Sequence, residues 1–189
     1  MKKVFSRLLF ALLMVFLVST NLFAQDKGAE KAAYTYGGVK TCKACHLAAK
    51  SGAQFKLWQK TRHANAYETL KTPKAKEAAK KAGVEDPSTS EKCVKCHVTG
   101  YSADAELKGK KYTLEEGVSC EACHGAGSGY KSRKIMKGIY AGTMKGEDYG
   151  LITPDEKVCK TCHNEESPFY KEFKFEEMAA KIAHPVPKK

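Results

Sequence analysis

The sequence predicts a mainly α-helical fold with extensive irregular loops, on three observations. The pattern Cys-x-x-Cys-His occurs four times in 189 residues, and its copies contain all eight cysteines. The stretches between copies are short, with apolar residues at helical spacing and breaks at Gly and Pro. Beyond residue 24 the chain has about 165 residues, the size of one domain.

The four copies are Cys42-Lys43-Ala44-Cys45-His46, Cys93-Val94-Lys95-Cys96-His97, Cys120-Glu121-Ala122-Cys123-His124 and Cys159-Lys160-Thr161-Cys162-His163. Thiols three residues apart share one side of a helical turn, as two adjacent vinyl groups of a porphyrin require. The following His then reaches the iron as proximal ligand, which makes C-x-x-C-H the attachment site of c-type haem. A zinc site built from paired C-x-x-C units needs two copies and no His after each. A disulfide framework leaves the histidines unexplained, and a thioredoxin-like motif does not come four times. Four covalently attached haem c groups follow, bound through Cys42, Cys45, Cys93, Cys96, Cys120, Cys123, Cys159 and Cys162, with His46, His97, His124 and His163 on the irons. At about forty residues per haem, the porphyrins stand in for an apolar core and the chain wraps them.

Residues 1–24 read as a signal peptide, with a cationic start at Lys2, Lys3 and Arg7, an apolar run Leu8–Val18 and cleavage after Ala24. Residues 25–189 form the tetrahaem domain. Export places it in the periplasm or outside the cell, and no stable membrane span is expected after signal removal. The formal charge of +12 becomes +9 without Lys2, Lys3 and Arg7. Two propionates per ferric haem lower it by about four more. The remaining cations suit an acidic redox partner better than nucleic acid, and the oligomeric state is left open.

Residues 25–38 read as a loose lead-in. Gln54 to Leu70 reads as one helix, with Phe55, Trp58, His63, Tyr67 and Leu70 along one face, broken by Thr72-Pro73. Lys74 to Ala82 is a polar helix ended at Gly83. Ser88-Thr89-Ser90-Glu91 has the form of a capping box opening the helix of the second motif, which Gly100 stops. Residues 101–117 suit a small hairpin or an irregular loop. Gly125-Ala126-Gly127-Ser128-Gly129 reads as backbone passing close to a haem edge. Thr153-Pro154-Asp155-Glu156 caps the helix of the fourth motif, with Pro at its first position. An aromatic cluster at Phe169, Tyr170, Phe173 and Phe175 precedes a last helix, Phe175 to Ala183. His184-Pro185-Val186-Pro187 is extended.

Six histidines leave two, His63 and His184, as distal ligands for four haems. The other two irons take Met, Lys or Tyr, keep an open or water-filled position, or borrow a ligand from another chain. Met136 is the best-placed sulfur, ahead of Met144 and Met178. Ordinary packing is the better reading for all three, as it is for Tyr130.

Around these motifs, Leu57-Trp58-Gln59-Lys60-Thr61-Arg62-His63-Ala64, the run Gly117 to Gly127 and the tail Ile182-Ala183-His184-Pro185 resemble the tetrahaem cytochrome c-554 family. The resemblance implies a mostly helical monomer that carries electrons in the periplasm through closely packed haem pairs. It also implies three haems with two His ligands and one five-coordinate haem. This chain is one His shorter, with Tyr130 where some related chains carry a His. The expected function is electron transfer between redox-partner proteins. A haem enzyme reducing a small nitrogen oxide or peroxide, or a subunit of an extracellular cytochrome filament, are the alternatives.

Overall fold

A computed structural model of the chain describes residues 33–187. The expected signal peptide and most of the lead-in lie outside the described residues. Among those described there are helices, turns and one isolated parallel bridge between Tyr36 and Lys108, with no β-strand. No described helix is long and apolar enough to cross a membrane.

The helices are α1 (Val39–His46), α2 (Gln54–Gln59), α3 (Ala66–Leu70), α4 (Pro73–Lys81), α5 (Glu91–His97), α6 (Cys120–His124), α7 (Arg133–Ala141), α8 (Glu156–Lys160) and α9 (Phe175–Ile182). None exceeds nine residues, so none is stable by propensity alone, and each depends on what it packs against. The apolar core is correspondingly small. Tyr67 and Leu70 of α3 meet Val94 of α5 and Val98 just beyond it, with Cys93, Tyr101, Tyr112 and Leu114 around them.

Several boundaries differ from the sequence reading for identifiable reasons. The single helix expected over Gln54–Leu70 is broken. Thr61 Oγ1 donates to the Trp58 carbonyl at 2.7 Å, and a 3₁₀ turn, His63–Asn65, separates α2 from α3. The His63 carbonyl is drawn out to accept from the amide of Val118 at 3.0 Å. α4 starts at Pro73 with Thr72 as its cap, Oγ1 accepting from Ala75 N at 3.3 Å, and Gly83 follows with φ +68°. The capping box does not form: Ser90, not Ser88, precedes α5, and Ser88 instead donates to the Asp86 carboxylate from its amide (2.8 Å) and its hydroxyl (2.7 Å). Pro154 falls before the cap of α8 rather than at its first position, because the Asp155 carboxylate accepts from Val158 N at 2.9 Å. Residues 101–117 are irregular, with 3₁₀ turns at Ala105–Leu107 and Leu114–Glu116.

Met136 lies in α7. Ser132 caps that helix, its Oγ accepting from Ile135 N at 3.3 Å, and Gly142 at φ +77° ends it. The glycines at 125–129 serve approaches between chain segments. A side chain at Gly129 would collide with the Tyr149 carbonyl and the Tyr34 ring.

Candidate haem sites

The first motif lies on α1, whose N-terminus has no side-chain cap of its own. Carboxylates from elsewhere cap it. Glu121, inside the third motif and 2% exposed, accepts from Gly37 N at 2.8 Å and Gly127 N at 2.6 Å through Oε1. Its Oε2 accepts from Gly38 N at 2.9 Å. Glu116 Oε2 accepts from Val39 N at 2.7 Å, and burial pushes the Glu116 carboxyl above its usual range. One buried anion thus ties the helix of the first motif to the loop behind the third, where the amides of a helix start favour negative charge.

The motifs come together in pairs through their thiols. Cys42 and Cys120 lie close enough to perturb each other, with Cys42 shifted down and Cys120 up. Cys96 and Cys162 do the same, with Cys96 shifted up and Cys162 down. The second pairing has independent support: Lys95 Nζ lies 2.5 Å from Glu166 Oε2, across from the second motif to the turn after the fourth. Cys123 feels the charges of Cys159 and Cys162, which relates the third motif to the fourth. No two of the eight cysteines are joined in a disulfide, and no cluster of three or more His, Cys, Asp or Glu side chains gathers around one point among the described residues.

Each motif histidine is held by a neighbour. His97 Nδ1 is 2.7 Å from the Ala66 carbonyl and His124 Nδ1 is 3.3 Å from that of Ile152. A carbonyl only accepts, so Nδ1 carries the proton in both and Nε2 keeps its lone pair for a metal. His46 Nδ1 is 3.2 Å from Gln54 Oε1, and Gln54 Nε2 donates to the Pro185 carbonyl at 2.9 Å, in the tail beside His184. His163 stacks on Phe173 with ring centres 4.8 Å apart and planes 23° apart.

The two remaining histidines each face a motif histidine. His63 and His163 have ring centres 6.0 Å apart, and His184 and His124 are 5.8 Å apart. A metal–imidazole bond of about 2 Å on each side, with roughly 1 Å from each nitrogen to its ring centre, sets two imidazoles on one metal about 6 Å apart. The spacing therefore fits an iron between each pair. Burial lowers the pKa of His63, His163, His124 and His184 alike and favours the neutral ring that a metal requires. His46 and His97 stand outside these pairs, although His46 is within electrostatic reach of His124 and His184.

The other candidates are engaged in packing. Tyr130 is buried and its hydroxyl donates to the Gly125 carbonyl at 2.8 Å. The Met144 sulfur lies against Gly138, and Met178 accepts from Lys181 Nζ at 3.6 Å. Met136 lines an apolar hollow of about 500 Å³ with Ile139, Tyr140, Val186 and Pro187. Sequence reading passed over Glu121 and Gln54. Glu121 did leave a signal, since the other motifs have Lys43, Val94 and Lys160 at its position.

A profile of the family described as cytochrome c554 and c-prime matches residues 41–125. Cytochrome c-554 of Nitrosomonas europaea is 33% identical over 168 residues, spanning 78% of this chain and 66% of the relative's own length. The solved structure of reduced cytochrome c554 from Nitrosomonas europaea matches with a TM-score of 0.53 at 31% identity, covering 80% of this chain and 79% of that one. The chain belongs to the cytochrome c-554 family, c-type cytochromes with four covalently attached haem c groups.

Proposed function

We propose that this chain is an exported electron carrier of the periplasm, with residues 1–24 as its signal peptide, passing electrons between redox-partner proteins. When bound, each haem supplies an iron that takes up and gives back one electron. The cysteine pairs of the four motifs fix the porphyrins, and His46, His97, His124 and His163 ligate from the proximal side. His63 completes the site of His163, and His184 completes that of His124. Couplings between thiols of the first and third, the third and fourth, and the fourth and second motifs support a path of electron sites in the order first, third, fourth, second.

One observation carries the reading: two histidines outside the motifs each face a motif histidine at about 6 Å. The surroundings then grade the four sites. Two have paired imidazoles, one has His97 tied to a backbone carbonyl, and one has His46 tied to a side-chain amide. Low-temperature EPR of the ferric protein tests this. His63→Met and His184→Met each remove the bis-His low-spin signal of one haem and leave the other. Unchanged low-spin signals in both variants would show that these residues are not ligands.

A further inference from the structure

From Val39 to Tyr67 the chain contains no Asp or Glu, and it contains Lys40, Lys43, Lys50, Lys56, Lys60 and Arg62. All six are exposed, and among the described residues none forms an ion pair. This contrasts with the lysines of α3, α4, α5, α8 and α9, where Lys71, Lys81, Lys95, Lys160 and Lys181 each hold a glutamate. The opposite bias occurs after the fourth motif. Residues 164–177 carry Glu165, Glu166, Glu172, Glu176 and Glu177 against Lys171 and Lys174. The chain is therefore electrically asymmetric, with unpaired cations at the first motif and an excess of carboxylates beyond the fourth.

The basic stretch also carries the most exposed of the attachment cysteines. Cys45 is the exposed member of the eight cysteines. Leu47, just past the end of α1 and 36% exposed, and Leu57 of α2, 38% exposed, add apolar surface, and these two helices pack together. Lys43 reaches from α1 over the Phe55 ring of α2, with its ammonium 5.2 Å from the ring centre, and Lys56 follows that ring in sequence. Lys131 Nζ approaches Gly37 at the start of α1 and extends the positive field. Exposed apolar side chains among exposed, unpaired cations fit transient docking. The apolar contact brings an electron site close, while the exposed charges speed and orient encounter without tight binding.

We propose that the surface of α1 and α2 around Cys45 is the docking face for an acidic one-electron redox protein, and that the first haem is the electron port. This rests on the electron-carrier reading above. One electron crosses at this face, leaving the iron oxidised by one unit and the partner reduced by one, or the reverse, with no bond made or broken. The partner presents carboxylates to the lysine ring and an apolar patch to Leu47 and Leu57.

The test uses the reduced tetrahaem protein in stopped flow with ferricyanide, which takes one electron from a ferrous haem to give ferrocyanide and a ferric haem. Poly-L-glutamate serves as a mimic of an acidic protein face. Lys43→Glu with Lys56→Glu reverses charge on the proposed face, Lys43→Gln with Lys56→Gln neutralises it, and Lys171→Glu with Lys174→Glu is the control in the acidic stretch after the fourth motif. In the unaltered protein the rate falls with added salt and with poly-L-glutamate. Reversal at Lys43 and Lys56 lowers the rate at low ionic strength by about tenfold, the lower end of the effect such fields have on encounter. It also removes the inhibition by poly-L-glutamate. Neutralisation has a smaller effect in the same direction, and the control pair changes the rate less than twofold. Equal effects of the two reversed pairs, or inhibition that persists in the Lys43 and Lys56 variant, would overturn the docking assignment while leaving the carrier role intact. A protein that exchanges electrons with neither ferricyanide nor hexaammineruthenium, a cationic couple, would overturn both.

Discussion

Glu121→Gln isolates the interaction that joins the first motif to the third. The carboxylate accepts three backbone N–H groups, from Gly37, Gly38 and Gly127, at 2.6–2.9 Å in a site 2% exposed. In the variant, the amide oxygen takes the place of Oε1 and keeps two bonds, now neutral. Its NH₂ points at the amide of Gly38, donor against donor. A charge-assisted bond contributes about 1.5–3 kcal/mol and a neutral one about 1 kcal/mol. Losing one and weakening two therefore costs about 2.5–7 kcal/mol. For a domain of this size each kcal/mol lowers Tm by about 2–4 °C, so the holoprotein melts roughly 5–28 °C lower by far-UV circular dichroism. Haem stoichiometry is unchanged, because no cysteine or histidine is altered. A Tm within about 2 °C of the original would refute the role assigned to this anion.

Glu116→Gln gives the contrasting result. Glu116 Oε1 is buried with no partner among the described residues, and burial raises its pKa. A raised carboxyl contributes stability below its unfolded pKa and loses it as pH rises, so at neutral pH the variant unfolds within about 1 kcal/mol of the original, or later, in urea. Tyr130→Phe removes one bond to the Gly125 carbonyl and costs about 1 kcal/mol in urea unfolding, with an unchanged EPR spectrum. A changed spectrum would instead mark Tyr130 as an iron ligand. Burial lowers the pKa of His63, His124, His163 and His184, so the unfolded chain binds more protons as pH falls through its His range near 6.5. The urea midpoint therefore drops between about pH 7.5 and 5, and a flat midpoint would contradict the burial of these rings.

The cofactor and most of the helices were legible because their determinants are local. C-x-x-C-H is contained in five residues, and the breaks at Pro73, Gly83 and Gly100 act on neighbouring residues. Long-range contacts left weaker marks. The helix expected over Gln54–Leu70 is interrupted because the His63 carbonyl bonds to Val118, a partner 55 positions away that no periodicity reveals. The capping box at Ser88 failed because Asp86 outcompeted it for the same groups. The α7 helix was missed because Gly138 interrupts its pattern, and that glycine is needed where Met144 packs. His63 and His184 stood out by counting alone. Which motif each one faces could be learned only from the fold.

The central claim is that the chain is built around four porphyrins held by thioethers. Intact mass spectrometry of the exported protein, followed by peptide mapping, tests it most directly. The expected product is a chain beginning after Ala24 with the added mass of four haems, one on each Cys-x-x-Cys-His peptide. Cysteines that remain open to alkylation, or fewer than four added groups, would contradict it.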